Sequence, residues 1–318
     1  MNQVPGSLRR IAYLGPRGTF SEEALLSQSD LVDLEHVATT TIPDAIALVA
    51  AGEVDAAFVP FENSIEGSVN LTLDHLVFDV ELRIQREVVL QVHMDLLARP
   101  GETMASIHRI LSFPFATAQV RGFLAARLSG VSIEATNSTA EGARLLGDGA
   151  FDGAHTAAVA PPLTAAIYGL EVLAHAIEDH QGNETRFLLV TRNGVPDPTG
   201  RDRTTIACFQ RRDRPGSLYE ILGAFARRSI NLTRIESRPT RQGLGDYCFV
   251  IEFEGHVRDE SVGEALIDLY TSGVNVKFLG SYPVHGDTAL PPGSEVESEL
   301  GSAAEWLAAL RASGVATS

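Results

Sequence analysis

The sequence is poor in lysine, and this scarcity excludes some kinds of active site. Of the 25 basic residues only Lys277 is a lysine, and it lies in a strand-like run at 274–280 that no glycine-rich loop precedes. Schiff-base enzymes need a reactive lysine, and P-loop nucleotide sites need a lysine after such a loop. The sequence therefore argues against both kinds of site.

Cysteine is also scarce, and the histidines are dispersed. Cys208 and Cys248 lie in alternating apolar runs with neither a CxxC spacing nor a nearby histidine, and no two of the nine histidines have HxH or HxxxH spacing. We therefore predict no metal ion and no organic cofactor. Both cysteines are expected in the core, which favours a reducing compartment, although the sequence is also compatible with a disulfide between them.

The net charge and the hydropathy of the sequence bear on whether the protein binds nucleic acid or membranes. The formal net charge of −16 disfavours attraction to nucleic acid or to an anionic membrane surface. An anionic substrate would need a local site of positive charge or backbone N–H groups. The sequence has neither a run of roughly 18 apolar residues nor the pattern of a signal peptide. We predict a cytoplasmic protein that binds neither nucleic acid nor membrane.

The first part of the chain has the pattern of an α/β fold. The length of 318 residues predicts two domains. Residues 1–192 alternate short strand patterns with longer helical patterns. A strongly alternating segment at 80–98 is long enough to cross between two lobes. We predict a two-lobed α/β domain with a hinge in that segment.

A second region follows a segment rich in proline and glycine. Residues 193–203 have the composition of an inter-domain linker, which predicts that the first domain can act without the second. Residues 204–283 follow the order βαββαβ, which predicts a ferredoxin-like domain. Residues 284–318 are predicted to be a mobile tail with a short amphipathic helix anchored by Trp306.

Four short segments place polar side chains where a strand meets a loop or a helix. In the first, Thr19 and Ser21 accompany the backbone amides of a turn that could bind a carboxylate or could simply cap the helix. The other three lie at the ends of apolar strands, and the carboxyl ends of strands in open α/β sheets are where ligands bind. Turn, capping and surface ion-pair roles stay open for all of them. Their polar residues are Glu62, Asn63, Ser64, Ser112, Gln119, Thr185 and Arg186.

Three of these segments together resemble the prephenate dehydratase family. The matching motifs are Gly15-Pro-Arg-Gly-Thr-Phe20, Pro60-Phe-Glu-Asn-Ser64 and Glu184-Thr-Arg-Phe187. The resemblance implies a two-lobed catalytic domain like that of periplasmic binding proteins. It also implies a lyase without a cofactor, which converts prephenate to phenylpyruvate with loss of water and carbon dioxide in phenylalanine biosynthesis.

The resemblance also implies roles for single residues. Thr185 matches the family's essential threonine and would hydrogen-bond to the departing ring hydroxyl. Arg186 and the amides near Thr19 would hold the substrate carboxylates, and Phe187 would line the ring. The charge state of Glu62 is left open. The other predicted site residues are Asn63, Ser112 and Gln119 in the cleft, with Ser21 and Ser64 as substrate contacts.

The region after the linker resembles an ACT regulatory domain, through Gly216-Ser-Leu-Tyr219 and Glu236-Ser-Arg-Pro239. This resemblance implies feedback inhibition by phenylalanine, bound far from the cleft in a pocket shared across a dimer interface. It therefore implies a homodimer or a homotetramer. Tyr219 is bulkier than the residue of many relatives, which leaves the identity of the ligand open. The predicted phenylalanine site consists of Gly216, Ser217, Leu218, Asn231, Leu232, Glu236 and Ser237.

Two other functions are compatible with these patterns. Arogenate differs from prephenate only in its ammonium group, which replaces the keto group, so an arogenate dehydratase would have a similar sequence. A two-lobed domain with a cleft could also be a non-catalytic small-molecule sensor or a solute-binding protein. The run Thr185-Arg-Phe187 and the fused ACT-like region favour the enzyme.

Overall fold

The computed structural model describes residues 8–210, 215–241, 243 and 246–286. Residues 1–285 group into one unit and residues 286–318 into a second. Only Gly286 of the second unit is among the described residues. The predicted tail helix around Trp306 therefore lies outside the part of the chain that is described.

Strands and helices alternate along the N-terminal part of the chain. The strands are β1 (Arg10–Leu14), β2 (Glu35–Thr39), β3 (Ala56–Asn63), β4 (Gly67–Ser68), β5 (Arg83–Gln91), β6 (Asp95–Ala98), β7 (Arg109–Ser112), β8 (Ser132–Ala135), β9 (Thr156–Ala160), β10 (Glu171–Ala174), β11 (Glu184–Thr191), β12 (Asp202–Phe209), β13 (Leu232–Pro239), β14 (Tyr247–Glu254) and β15 (Asn275–Pro283). The helices are α1 (Phe20–Leu26), α2 (Ile42–Ala51), α3 (Asn70–Asp74), α4 (Pro114–Gln119), α5 (Arg121–Arg127), α6 (Thr139–Gly147), α7 (Leu163–Tyr168), α8 (Ser217–Ala226) and α9 (Glu260–Thr271), and a π-helical turn, His75–Asp79, follows α3. In the described ranges, no helix has the length and apolarity needed to cross a lipid bilayer.

Two mixed sheets form the N-terminal region. The first lobe is built on the sheet β2-β1-β3-β11-β5, in which β4 also pairs with β3, and the second lobe on the sheet β10-β6-β9-β7-β8. In the first sheet β1 is parallel to β2 and β3, whereas β11 is antiparallel to β3 and β5. The predicted two-lobed α/β fold is confirmed.

The chain crosses between the two lobes twice. Residues 92–94 connect β5 to β6, and residues 175–183 lead from β10 back to β11. The predicted hinge segment 80–98 thus contains the first crossing, because its alternating pattern belongs to two strands in different sheets. The return crossing has no periodic pattern from which it could be predicted.

Capping interactions determine where several helices begin. Ser138 Oγ accepts a hydrogen bond from Glu141 N at 3.1 Å at the start of α6, as the Ser-x-x-Glu pattern predicts. The sequence predicts one helix over 116–128, but Val120 interrupts it with φ −116° and ψ 15°. The Asp179 carboxylate accepts hydrogen bonds from Gly122 N at 2.8 Å and from Phe123 N at 3.1 Å, and so caps α5. The break therefore depends on a residue of the return crossing.

The C-terminal sheet has the order β13-β14-β12-β15. All its strand pairs are antiparallel. Helices α8 and α9 pack on one face, where Ile206, Cys208 and Phe253 belong to the enclosed core. This arrangement confirms the predicted ferredoxin-like domain. Cys208 and Cys248 are both buried and free, as expected for core residues.

The other face of the C-terminal sheet packs against the first lobe. Cys248 and Tyr282 belong to the same hydrophobic core as α2 and the strands of that lobe. Lys277 Nζ donates to the backbone oxygens of Val77 at 3.1 Å and Val80 at 2.6 Å. The two regions therefore share a core, which differs from the expectation of independently acting units.

Candidate active site

The end of β3 and the start of β11 bring two predicted residues together. Asn63 and Thr185 are partners in the antiparallel register of these strands. Asn63 Nδ2 donates a hydrogen bond to Thr185 Oγ1 at 2.9 Å. Thr185 follows the return crossing directly, so the pair lies where the two lobes join.

The orientation of the Asn63 amide follows from its other contacts. Its Oδ1 accepts hydrogen bonds from Ile65 N at 3.0 Å and Glu66 N at 2.9 Å. Because backbone N–H groups only donate, the side-chain atom that they meet is the oxygen, and Nδ2 faces Thr185 as a donor. Thr185 Oγ1 has no second hydrogen-bond partner among the described residues. The hydroxyl thus receives a hydrogen bond, and its own proton is available for another acceptor.

A buried asparagine links this pair to the second lobe. Asn183 is 2% exposed, its Oδ1 accepts from Asn63 Nδ2 at 2.7 Å, and its Nδ2 donates to Gln119 Oε1 at 2.9 Å. Gln119, on α4, donates from Nε2 to Glu66 Oε1 at 3.2 Å. The structure therefore joins Asn63, Thr185 and Gln119, and adds Asn183 and Glu66, which sequence reasoning missed. Their one signal in the sequence is that each lies beside a motif.

Two predicted serines hold backbone segments in place. Ser64 Oγ accepts from Glu184 N at 2.9 Å and donates to Gly182 O at 3.2 Å, which ties the loop after β3 to the return crossing. Ser112 is fully buried at the end of β7 and donates to Val159 O at 2.7 Å. Contact of either serine with a substrate stays a prediction.

The turn before α1 differs from the predicted carboxylate site. Thr19 caps the helix, since its Oγ1 accepts from Glu22 N at 3.4 Å and donates to Leu14 O at 2.8 Å. Gly18 N donates to the Glu22 carboxylate at 2.5 Å. One backbone N–H group of this turn therefore already has a carboxylate of the same chain as its acceptor. Ser21 is buried within α1.

The same turn nevertheless lies at the junction of the lobes. Tyr168 Oη, on α7 of the second lobe, donates to Arg17 O at 2.8 Å. The Arg17 side chain is 71% exposed, and its Nε lies 3.6 Å from the Glu22 carboxylate. A positively charged and accessible side chain therefore stands beside the joined lobes.

Arg186 and Glu62 lie on the face of the sheet opposite to Thr185 and Asn63, because neighbouring residues of a strand point to opposite faces. The Arg186 guanidinium lies 2.8 Å from Glu62, 3.2 Å from Glu87 and 2.7 Å from Glu252 of the C-terminal sheet. This corrects the expectation that Arg186 holds a substrate carboxylate and that Glu62 lies in the cleft. Both residues instead form ion pairs at the interface between the two regions.

Burial and charge oppose each other in this cluster. Burial acts to lower the pKa of Arg186, but Glu252 and Glu87 are among the groups that raise it above its ordinary value. Burial acts to raise the pKa of Glu252, but Arg186 and Arg203 lower it below its ordinary value. Both Arg186 and Glu252 are therefore charged, and each compensates for the burial of the other.

Phe187 lies in the core of the first lobe and does not line a cleft. Its side chain is 1% exposed and stacks on Phe58, with ring centroids 5.4 Å apart. It lies on the same face of β11 as Thr185, because the two residues are separated by two positions. Its packing therefore supports the strand next to Thr185, which differs from the predicted contact with the substrate ring.

The residues predicted to bind phenylalanine do not form one group within a single chain. Gly216, with φ 92°, precedes α8, and Ser217 and Leu218 form its first turn. Asn231 and Leu232 follow the other end of α8, where Asn231 Nδ2 donates to Glu254 Oε1 at 2.9 Å. A pocket that contains both groups therefore requires a second copy of the chain.

Glu236 faces the first lobe. Its carboxylate accepts hydrogen bonds from Ser68 Oγ at 2.7 Å and from Arg234 at 2.8 Å. Burial acts to raise the pKa of Glu236, but the hydrogen bonds from Arg234 and Ser68 lower it below its ordinary value. This corrects the expectation that Glu236 meets the ammonium group of an amino acid. Its neighbour Ser237 is exposed.

The positions of the His, Cys, Asp and Glu side chains bear on the prediction that no metal ion takes part. Within the parts of the chain that are described, no three His, Cys, Asp or Glu side chains gather in a way that could hold a metal ion. Catalysis without a metal ion stays a prediction, because only a measurement of activity tests it.

Comparison with known proteins identifies both regions. A family model described as prephenate dehydratase matches residues 11–195, and one described as ACT domain matches residues 204–269. A protein of Mycobacterium bovis named prephenate dehydratase is 42% identical over 312 residues, which cover 95% of this chain and 94% of that protein.

Solved structures have the same fold over most of the chain. A prephenate dehydratase from Arthrobacter aurescens in complex with L-Phe has a TM-score of 0.81 and 40% identity, covering 95% of this chain and 99% of that one. A protein described as a novel type of quorum-quenching acylase has a TM-score of 0.76 and 30% identity, covering 86% and 98%. Since a family model spans most of the N-terminal region and a relative matches nearly the whole sequence, this chain belongs to the prephenate dehydratase family.

Proposed function

We propose that this protein converts prephenate to phenylpyruvate at the junction of its two lobes, around Thr185. Membership of the family supports the reaction. The observation that carries the site is the hydrogen bond of 2.9 Å from Asn63 Nδ2 to Thr185 Oγ1. Because the hydroxyl oxygen accepts there, its proton is available to a substrate.

The reaction needs a hydrogen-bond donor at the leaving oxygen. The ring C–O bond breaks, and the hydroxyl takes up one proton and departs as water. The bond between the ring and its carboxylate also breaks, its electron pair enters the ring, and carbon dioxide leaves. The ring becomes aromatic, which drives the step. Thr185 would donate to the departing oxygen and so stabilise the negative charge that develops on it.

Asn63 makes Thr185 a better donor. A hydroxyl that accepts one hydrogen bond donates a stronger one, because chains of hydrogen bonds polarise each other. A threonine hydroxyl does not release its proton near neutral pH, so its role is hydrogen bonding and not full proton transfer. The proton that completes the water then comes from solvent.

The substrate carboxylates need donors other than Arg186, whose guanidinium is held by three carboxylates of the chain. We place them beside the turn before α1, where Arg17 is exposed and Tyr168 joins the lobes. An arginine matches the fork of a carboxylate and carries charge at every physiological pH.

Product analysis tests this function directly. We expect the purified protein to form phenylpyruvate from prephenate, and chromatography separates this product from phenylalanine. If arogenate is the preferred substrate, phenylalanine forms instead, and the prephenate assignment is wrong. Binding of prephenate without either product would contradict catalysis and identify a sensor.

We also propose that phenylalanine inhibits the enzyme through the ACT domain, in a homodimer or homotetramer located in the cytoplasm. The match to an ACT domain supports regulation, and the Arthrobacter aurescens protein was solved with L-Phe. The free buried cysteines support a reducing location. Contacts of the ACT domain with Arg186 and Ser68 provide a physical route to the strands that carry Thr185 and Asn63.

Calorimetry and light scattering test the regulatory site. Phenylalanine should bind to the wild-type protein but not to Gly216→Trp, whose side chain would fill the turn before α8. Coupling must be reciprocal, so a non-reactive substrate analogue should weaken phenylalanine binding by the same factor by which phenylalanine weakens analogue binding. A monomer in solution, or unchanged binding to the variant, would contradict the proposed site.

A further inference from the structure

Asn63, Glu66, Gln119 and Asn183 form a closed ring of hydrogen bonds across the two lobes. Asn63 Nδ2 donates to Asn183 Oδ1 at 2.7 Å, and Asn183 Nδ2 donates to Gln119 Oε1 at 2.9 Å. Gln119 Nε2 donates to Glu66 Oε1 at 3.2 Å. The backbone N of Glu66 donates to Asn63 Oδ1 at 2.9 Å and closes the ring.

The hydrogen bonds of this ring can run in only one direction. The backbone N–H groups of Ile65 and Glu66 require an oxygen at Asn63 Oδ1. At the other end, the Glu66 carboxylate accepts the hydrogen bond that Gln119 Nε2 donates. Each amide between these two ends must therefore present its nitrogen towards Glu66 and its oxygen towards Asn63. The same direction makes Asn63 a donor to Thr185.

We propose that Asn183 and Glu66 are positioning residues for the dehydration of prephenate. The backbone N–H groups of Ile65 and Glu66 orient the Asn63 amide, and the side chains of Asn183 and Glu66 link this amide to Gln119 of the second lobe. They thereby hold Asn63 in the place from which it donates to Thr185, and the proton of Thr185 is left for the substrate. This inference rests on the proposed function of Thr185. Asn183 is the central member, because it is buried and joins the amide beside Thr185 to the second lobe.

The substitution Asn183→Asp tests the direction of the ring with almost no change of shape. A carboxylate at this position accepts from Asn63 but cannot donate to Gln119 Oε1. The Gln119 amide could rotate so that its nitrogen donates to the new carboxylate at position 183. The Gln119 oxygen would then face the Glu66 carboxylate, and no hydrogen bond could form between them. One hydrogen bond of the ring is lost in either case, and we expect kcat to fall about tenfold or more while KM changes less.

A second substitution should restore the ring. The double variant combines Asn183→Asp with Glu66→Gln. In it, the amide nitrogen at position 66 can donate to the oxygen of the rotated Gln119 amide, and the Gln119 nitrogen can donate to the carboxylate at position 183. We expect the double variant to recover most of the kcat that Asn183→Asp loses. With Glu66→Gln alone as the fourth protein, the cycle measures the coupling between the two positions. A role of Asn183 in packing alone predicts no recovery.

The pH profile provides an independent readout. A protonated carboxyl at position 183 can donate to Gln119, so the relative kcat of Asn183→Asp should rise as pH falls through the pKa of that carboxyl. Asn183→Ala has no group to titrate, and its kcat relative to wild type should stay flat. Parallel profiles of the two variants would overturn the proposal.

A less buried pair of positions covers the case in which Asn183→Asp fails to fold. Gln119→Glu places a carboxylate next to that of Glu66, and the repulsion between them should lower kcat. Adding Glu66→Gln should restore kcat, because the amide at position 66 can donate to the carboxylate at position 119. Asn137→Asp, at an exposed position on the second lobe, is the matched control and should keep wild-type kcat.

The outcomes distinguish failure of the proposed function from failure of the positioning role. A wild-type protein that forms no phenylpyruvate contradicts the proposed function itself. If the wild type is active, wild-type kcat in Asn183→Asp, or no recovery in either double variant, overturns the positioning role alone.

Discussion

Thr185 and Arg186 are adjacent in the sequence, but their side chains lie on opposite faces of β11. Thr185 accepts a hydrogen bond from Asn63 at the junction of the lobes, and Arg186 meets Glu252 of the ACT domain. Strand alternation alone separates two adjacent side chains. Which of the two faces meets the ACT domain depends on packing between distant segments, and this could not be predicted from the motif.

Arg186→Ala should destabilise the protein strongly. The variant leaves Glu252, which is 1% exposed, without the guanidinium that lies 2.7 Å away, and Glu87 keeps only its ion pair with Arg203. Removing one partner of a buried ion pair costs about 3–5 kcal/mol. Urea unfolding measures this loss, with the exposed Arg227→Ala as control. Unchanged unfolding together with a raised KM for prephenate would show that Arg186 holds the substrate after all.

Glu23→Gln should stabilise the protein above neutral pH. Burial raises the pKa of Glu23 to about 7, while His93 acts to lower it and Asp95 acts to raise it. A raised pKa means that the folded state carries a costly carboxylate at high pH, and this cost disappears as pH falls towards the ordinary value of about 4.5. The difference between variant and wild type in free energy of unfolding should grow from pH 5 to pH 8, to about 2 kcal/mol. A difference that is independent of pH would contradict the shift.

At the scale of elements, the strands β3 and β11 connect the candidate active site to the ACT domain. One face of this pair carries Asn63 and Thr185, and the other carries Glu62 and Arg186. The short strand β4 adds a second contact, since Ser68 donates to Glu236 of β13. A shift of the ACT sheet would therefore act directly on the strands that hold Thr185 and Asn63.

The order and type of most elements could be predicted from the sequence, because hydrophobic periodicity and caps are local signals. The ring around Asn63 could not, since Gln119 and Asn183 are 64 residues apart and Glu66 and Gln119 are 53 apart. Motifs identified Asn63, Gln119 and Thr185, but only the fold shows that Asn183 joins them. The break between α4 and α5 was missed for the same reason.

Asp179→Ala should weaken the start of α5. The carboxylate accepts hydrogen bonds from Gly122 N and Phe123 N, and loss of such a cap costs about 0.5–2 kcal/mol. Thermal unfolding measures the effect, with Asp197→Ala as a control because the Asp197 side chain is 89% exposed. Equal midpoints for Asp179→Ala and wild type would show that the cap is not needed.

At the scale of the whole molecule, the two regions share one core. Residues of β12, β14 and β15 pack with α2 and the strands of the first lobe in a single hydrophobic cluster. Composition indicates a linker at 193–203, but it does not reveal whether the domains on either side pack together.

A chain that ends after Arg192 should therefore not fold stably. It loses the apolar side chains that cover the first lobe, and it leaves Arg186 without Glu252. Circular dichroism and urea unfolding of the fragment test this, and residues 193–318 added as a separate chain should restore folding. A fragment that is stable and fully active alone would contradict the shared core.

The central claim is that the Thr185 hydroxyl donates a hydrogen bond to the oxygen that leaves prephenate. The most direct test is the kcat for phenylpyruvate formation by Thr185→Val, which keeps the shape of the side chain and removes only the hydroxyl, next to Thr185→Ser, which keeps the hydroxyl. We expect kcat to fall about 10²–10³-fold in the valine variant and far less in the serine variant, with folding unchanged in both. Wild-type kcat in a folded Thr185→Val protein would contradict the account.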